Sequence, residues 1–350
     1  MKDLLMQKLF QPLDLPGFIP LRNRLVMSAM SRSFADEERC PTEQVKQYYE
    51  RRAQGGAGLI LTEGTIIHRS GDGWVNAPYI AEEKHARAWR KVVDAVHAAG
   101  GAIACQLWHT GRISHEDFTG GAPVSSTSVA AAGVNRQNNK PYGVPRALDA
   151  AEMPTVYGYF VDAAKRALDA GFDAVELHVG HGYLADQFLD GQVNDRTDQY
   201  GGAVENRCRF ALELVEAVTK AIPGKQVIAR ISPSRFMGGV YEWPDLDAMI
   251  AHLIPALGQL GLGALDVSCA NSDYYLTSGR MVRKIRPLYN GVIMAGASLT
   301  PEQAEAEIES GMVDCITWGR AFIANPDLAK RIRTDEELVP FDDSMRATLV

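Results

Sequence analysis

The chain has 350 residues with 36 basic and 43 acidic side chains, a net charge of −7, and a content of 46% hydrophobic and 23% charged residues. That composition excludes intrinsic disorder, collagen-like repeats and a coiled-coil rod, and an acidic balance with no basic stripe argues against nucleic acid as a partner. Five cysteines lie at least 46 residues apart with no C-x-x-C pair, so they read as reduced, mostly buried thiols, and with no apolar run near 18 residues and no secretory pattern in residues 1–10 the sequence predicts a cytoplasmic protein with no membrane partner.

In chain order, residues 9–24 contain Pro12, Pro16, Gly17 and Pro20 and predict a short hairpin before the first strand. A strand over Leu25–Met30 is followed by a helix over Thr42–Gln54, and a strand over Gly58–Gly64 by a helix after Glu82. On that second helix Trp89, Val92, Val93 and Val96 share one face, and Gly100-Gly101 stop it. The third strand, Ala102–Trp108, leads into Gly111–Met153, a stretch rich in Gly, Ser, Asn and Pro that reads as a lid over a barrel mouth or as a disordered insert, the lid being favoured. A helix over Thr155–Ala170, a strand over Ala174–His178 and a helix after Glu205 come next; on the last, Cys208, Ala211, Leu212, Val215 and Val218 share a face. The remaining strands are Val227–Ile231, Ala264–Ser268, Val292–Ala295 and Cys315–Trp318, interleaved with helices over Leu246–Leu260, Met281–Leu288, Pro301–Ser310 and Pro326–Arg333.

Eight strands, each followed by a helix and spaced about 40 residues apart, are the arithmetic of an α/β chain folded as a single (β/α)₈ TIM barrel over residues 1–350, with an N-terminal hairpin cap, a long loop after strand 3 and an irregular tail beyond about residue 334. A doubly wound open sheet is the alternative, but it calls for a glycine-rich fingerprint after Met30, and none is there.

In such a barrel the chemistry sits where strands end. Strand 4 closes as Glu176-Leu177-His178-Val179-Gly180-His181-Gly182-Tyr183, two histidines and a tyrosine within six residues. Three readings are open: a divalent-metal site on His178 and His181 with Glu176 or His109; buried core residues; or two neutral imidazoles aimed at one oxygen with Tyr183 as proton donor. Strand 3 ends with Gln106 and Trp108, strand 5 with Arg230, strand 7 with Gly296-Ala297 and strand 8 with Gly319-Arg320. Small residues and an arginine after strands 7 and 8 suit a phosphate. Together these features point to a planar, phosphate-bearing heterocycle, better a flavin mononucleotide than pyridoxal phosphate, because no strand-end lysine is available for a Schiff base.

Through Gln106–His115, the His178/His181/Tyr183 stretch, Asn194–Gly202, Gly319-Arg320 and Ile323–Leu328, the sequence resembles the old yellow enzyme family of flavin-dependent ene-reductases over roughly residues 8 to 331, in particular its N-ethylmaleimide reductase and pentaerythritol tetranitrate reductase branch. The resemblance implies a tightly bound, non-covalent FMN reduced by NADPH or NADH, and a small-molecule activated alkene as the second substrate in a ping-pong cycle. It implies that hydride goes from flavin N5 to the β-carbon and that Tyr183 protonates the α-carbon, for net trans addition, while His178 and His181 hold the carbonyl oxygen. Gln106 and Arg230 would meet the pyrimidine edge, Ala29 and Met30 line the ring, Gly64 leave room for it, and Gly296, Ala297, Gly319 and Arg320 take the phosphate. Trp74 and Trp108 would wall the substrate pocket. Departures are Ser31 where the branch has a threonine at the flavin C4 carbonyl, Trp74 for a tyrosine, and a short tail after Thr334 unlike the family's. A non-catalytic flavin-binding barrel and a metal-dependent barrel hydrolase using His178 and His181 are the rival readings; a monomer and a homodimer are both compatible.

Overall fold

Eight parallel strands close on one another in the computed structural model, which describes residues 8–236, 239–269 and 273–350. They are β1 (Leu25–Met27), β2 (Leu59–Leu61), β3 (Ala102–Trp108), β4 (Ala174–His178), β5 (Val227–Ile231), β6 (Ala264–Val267), β7 (Val292–Gly296) and β8 (Cys315–Trp318). Each pairs with its neighbours in sequence, and Leu25↔Ile316, Val26↔Thr317 and Met27↔Trp318 join β1 to β8, so the ring has no edge. The TIM barrel read from the sequence is the fold observed.

The helices between strands are α1 (Glu43–Gln54), α2 (Glu83–Ala98), α3 (Met153–Asp169), α4 (Val204–Ala221), α5 (Leu246–Gln259), α6 (Ser278–Ile285), α7 (Pro301–Glu309) and α8 (Leu328–Thr334). Their starts carry local signals: Thr42 caps α1 by accepting from the Val45 N–H, and α7 opens with a capping box between Thr300 and Gln303 and proline at its first position. On α2 the residues Trp89, Val92, Val93 and Val96 are all buried, each worth roughly 1.5–3 kcal/mol. Among the described residues no helix is long and apolar enough to cross a membrane, and four of the five cysteines are buried, none in a disulfide.

Alternation along the strands builds the barrel interior in layers. The lower layer is apolar: Val26, Leu59, Ala104, Ala174, Ile228 and Ala264 pack with Leu13, Phe18, Ile19 and Leu21 of the N-terminal hairpin, whose Leu13 and Leu21 exchange hydrogen bonds of 2.9 and 2.8 Å. That hairpin is the floor. The layer above it is polar and buried, with Gln106, Glu176, Arg230 and Asp266.

Some boundaries differ from the sequence reading. β1 ends at Met27, because the chain leaves the sheet there to line the mouth, with the Ser28 N–H still donating to Trp318 O at 2.9 Å. β2 is shortened to three residues. Helix α6 starts three residues early, at Ser278, and its last turn is a separate 3₁₀ turn over Arg286–Leu288. Helix α8 starts at Leu328, and a short helix over Arg320–Ala324 precedes it.

The 111–153 connection is ordered and bound to the mouth side. Asn135 Nδ2 donates to Gly73 O at 3.4 Å, the Val75 N–H to Gln137 Oε1 at 3.3 Å, and Ser125 and Ser126 hydroxyls to Gln187 at 2.9 and 2.7 Å. Its Tyr142 comes close enough to Tyr183 to disfavour that phenol's ionisation.

Candidate active site

The turn after β4 aims the reactive side chains. His181 has φ of +58° and Gly182 +79°, a left-handed conformation uncommon outside glycine, which the surroundings hold in place. Those surroundings are visible: the His181 N–H donates to Ser232 Oγ at 2.5 Å and the Gly182 N–H to Asp186 Oδ2 at 2.5 Å. Asp186, fully buried on the short helix Leu184–Leu189, also takes Arg235 at 2.7 Å and the Trp243 indole N–H at 2.7 Å. Gly180 cannot carry a side chain, since a Cβ would sit 2.6 Å from Ser232 Oγ.

Aromatic rings then meet in sequence around the mouth. His178 and His181 lie 5.2 Å apart between centroids at 82°, His178 and Tyr183 4.9 Å at 71°, Tyr183 and Trp108 4.9 Å at 80°, and Trp108 and Trp74 5.2 Å at 54°. His178 Nδ1 and His181 Nε2 are buried without a hydrogen-bond partner among the described residues. Burial, reinforced by the Arg230 charge, holds both imidazoles well below their usual range, so both are neutral at physiological pH and each carries one N–H. Burial and the nearby Tyr142 push the Tyr183 phenol upward, so it keeps its proton. His109 belongs elsewhere: it is buried, pairs with Ser70 Oγ at 3.2 Å, and its Nδ1 accepts the Gly111 N–H. Among the described residues no cluster of three or more His, Cys, Asp or Glu could hold a metal ion.

Arg230 is held by Ser268 Oγ at 2.7 Å, Ser28 Oγ at 3.3 Å and Ala29 O at 3.3 Å, with Asp266 at 3.5 Å and Glu176 at 3.9 Å. Gln106 Nε2 donates to Glu176 Oε2 at 2.6 Å. Two buried carboxyls thus face one guanidinium; burial and the neighbouring Asp266 push Glu176 up to about 8, and burial pushes Asp266 upward. At neutral pH the pair therefore retains a proton. Asp266, Ser28 and Ser268 escaped the sequence reading: Asp266 is the inward polar residue of β6, in register with Arg230, and Ser28 and Ser268 lie just past the ends of β1 and β6, two positions beyond Val26 and Asp266, so a period of two was the available signal.

A cavity of about 590 Å³ runs from Tyr183 and Arg230 past Ala29, Met30 and Ser31 to Gly296, Ala297, Gly319 and Arg320. Those nine predicted residues share its wall. Gln106 lies in the buried layer outside that wall, and Gly64 is packed on Trp108, where a Cβ would stand 2.5 Å from the indole ring. At the far end Gly296 admits no Cβ, since one would fall 1.8 Å from Thr317 O, and Ala297 holds a φ of +141°. His178, His181, Trp74 and Trp108 lie outside that wall and reach it through Tyr183, which His178 and Trp108 both contact. Tyr183 and Arg230 at one end and a glycine cradle with Arg320 at the other suit a flat, polar-edged ring carrying a phosphate. A second depression beside Glu242 and Arg280 is a surface feature whose charges pair with one another.

Comparison with known proteins gives a consistent result. The sequence pattern of the NADH:flavin oxidoreductase / NADH oxidase family matches residues 8–338. The chain is 38% identical to 12-oxophytodienoate reductase 7 of Oryza sativa subsp. japonica, over 94% of this chain and 89% of that one. It is 37% identical to a probable flavin mononucleotide-dependent alkene reductase of Leishmania infantum, over 91% and 88% of the two chains. The solved structure of an old yellow enzyme homologue from Zymomonas mobilis superimposes with a TM-score of 0.89 at 33% identity, covering 97% of this chain and 96% of that one.

Proposed function

Because the chain belongs to the NADH:flavin oxidoreductase / NADH oxidase family, the old yellow enzymes, we propose that it is an FMN-dependent reductase of activated alkenes, with Tyr183 as its proton donor and His178 and His181 as its carbonyl-binding pair. The observation that carries this reading is the packing of two neutral imidazoles against a protonated phenol, Tyr183, that itself lines the cavity holding the Gly296/Gly319/Arg320 cradle. The names of the rice and Leishmania relatives support the substrate class.

Bound FMN supplies a hydride donor, recharged by NADH or NADPH, that reduces the β-carbon of an α,β-unsaturated carbonyl compound. The chain's own residues do the rest. Ala29, Met30 and Ser31 line one side of the ring's place, Arg230 sets a fixed positive charge at its edge, and Gln106, tied to Glu176, orients an amide in the layer below. Gly296, Ala297, Gly319 and Arg320 would receive the phosphate. His178 and His181 donate N–H bonds to the substrate oxygen, where negative charge grows in the transition state; one such donor is worth about 2.7–4 kcal/mol. Because neither imidazole needs a proton from solvent to donate, the pair works without a pH trigger. Tyr183 gives its proton to the α-carbon, a contribution of about 10²–10⁴ in rate. Trp108 packs edge-on against Tyr183 and Trp74 against Trp108, so the two would wall the substrate's side of the phenol.

Neither rival reading requires this packing. A non-catalytic flavin binder could keep Arg320 and Gln106 without the His178/His181/Tyr183 group, and a hydrolase would require a metal cluster there. The test is Tyr183→Phe followed through both half-reactions: alkene reduction should slow by about 10²–10⁴ while reduction of the flavin by NADPH or NADH stays within a few-fold. Equal losses in both would remove the proton-donor role.

A further inference from the structure

The match to the family's pattern ends at residue 338, and the structure shows where the chain goes from there. A 3₁₀ turn over Asp343–Ala347 brings Arg346 into the wall of the same 590 Å³ cavity that Arg320, Ser298 and Gly319 line. Both guanidiniums approach one ring, that of Phe341, with Arg320 Cζ 5.3 Å and Arg346 Cζ 5.4 Å from its centroid. We propose that the segment 335–350 is a strap across the phosphate end of the flavin site, and that Arg346 and Arg320, gathered on Phe341, form a two-guanidinium clamp for the FMN phosphate.

The path of the strap is fixed by internal anchors. Arg32 Nη2 donates to Met345 O at 3.1 Å and Thr348 O at 2.5 Å, Arg51 to Leu349 O at 2.5 Å and Arg52 to Val350 O at 2.5 Å. Asn325 and Val339 exchange two bonds of 3.0 and 2.8 Å. Arg32 and Arg52 are themselves buried, so these are guanidiniums committed to backbone carbonyls, each bond charge-assisted. Arg32 directly follows Ser31 in the cavity wall, so the strap is tied to the wall it covers. Pinning the backbone on both sides of Arg346 fixes where its head group can reach.

The electrostatics suit an anion. Two arginines face one cavity end, and the carboxylate beside Arg346 is that of Asp343, at 2.9 Å and 83% exposed, where solvent screening weakens it. Asp342 is occupied by the Ser344 N–H at 2.9 Å. A phosphate dianion between the guanidiniums relieves their mutual repulsion and accepts from two planar donor sets. In a chain of net charge −7 such a local pair is what an anionic cofactor requires.

This inference rests on the flavin reading, and the test separates the two. The full-length chain, stripped of flavin, is titrated with FMN and with riboflavin, which lacks the phosphate, by following quenching of flavin fluorescence. Arg346→Gln should weaken FMN binding about tenfold and leave riboflavin binding unchanged, and Arg346→Lys should restore part of the loss. Phe341→Leu, which removes the shared ring and leaves both charges, should weaken FMN binding less. Equal affinity of wild type and Arg346→Gln for FMN would overturn the clamp and leave the flavin site standing. Equal weakening toward FMN and riboflavin would also overturn it, because the effect would then come through the fold. Failure of the wild type to bind either ligand would overturn the flavin reading and the clamp together.

Discussion

The lower and upper halves of the barrel interior come from the same strands, two residues apart. On β3 to β6, Ala104, Ala174, Ile228 and Ala264 point into a dry floor closed by the hairpin leucines, whereas Gln106, Glu176, Arg230 and Asp266 point into a layer of buried charge. The floor is stabilised by burial alone and can be insulated because nothing has to enter. The upper layer bears a desolvation cost, partly offset by the Arg230 contacts at 2.7–3.3 Å, and in return places a positive charge and oriented amides directly under the mouth. Stability and chemistry are thus separated by one pleat.

Substitutions in the two halves should separate the same way. Ile228→Ala in the floor should destabilise the protein by about 2–5 kcal/mol in denaturant unfolding, with turnover at a permissive temperature near wild type; a large loss of turnover without a loss of stability would break the division. At the mouth, His178→Ala should cost about 2.7–4 kcal/mol in the alkene step, with a much smaller effect on unfolding. In the layer between, the sign follows from the raised carboxyl values. A carboxyl that takes up its proton at about 8 in the fold, against 4.5 when exposed, makes the folded state bind more protons, so its contribution is present below pH 4.5 and is lost as pH rises to about 8. His178 and His181, held neutral, act oppositely below their usual range, and Glu63, raised to about 7, acts in the same sense as Glu176. Comparing Glu176→Gln with wild type isolates the one group: thermal unfolding of the variant should fall less steeply between about pH 5 and 8, and identical slopes would place the retained proton elsewhere. The smallest effect expected is none at all: with both imidazoles neutral and the phenol protonated, the rate constant of the alkene step should be flat from about pH 6 to 8, and an inflection near the usual imidazole value would show that one of them titrates.

Much of this was legible in the residues. The strand runs from Ala102, Ala174 and Val227 are almost unbroken apolar segments bounded by turn residues, and their limits coincide with β3, β4 and β5. His178, His181 and Tyr183 stood out because polar aromatics crowded a strand end. What the sequence did not disclose depends on contacts between distant segments. Ser278 and Gly279 are weak helix formers, yet α6 includes them, and position 279 has to be glycine because a Cβ there would stand 2.4 Å from the Tyr274 ring. Gly64 also has to leave room for Trp108, whose ring would stand 2.5 Å from a Cβ there, a need that only the fold discloses. Asp266 acquires its significance from Arg230, 36 positions earlier, and Arg346 only from the path the strap takes over Arg32 and Arg52. Local pattern marks a strand end as interesting; it does not say which distant side chain completes it.

The account is tested most directly by one anaerobic experiment on the purified protein. Excess NADPH or NADH should bleach its flavin absorption band, and an α,β-unsaturated ketone added after the nicotinamide is removed should restore it with stoichiometric reduction of the C=C bond. A protein that takes up no FMN, or a bleached band that the alkene leaves unchanged, would contradict it.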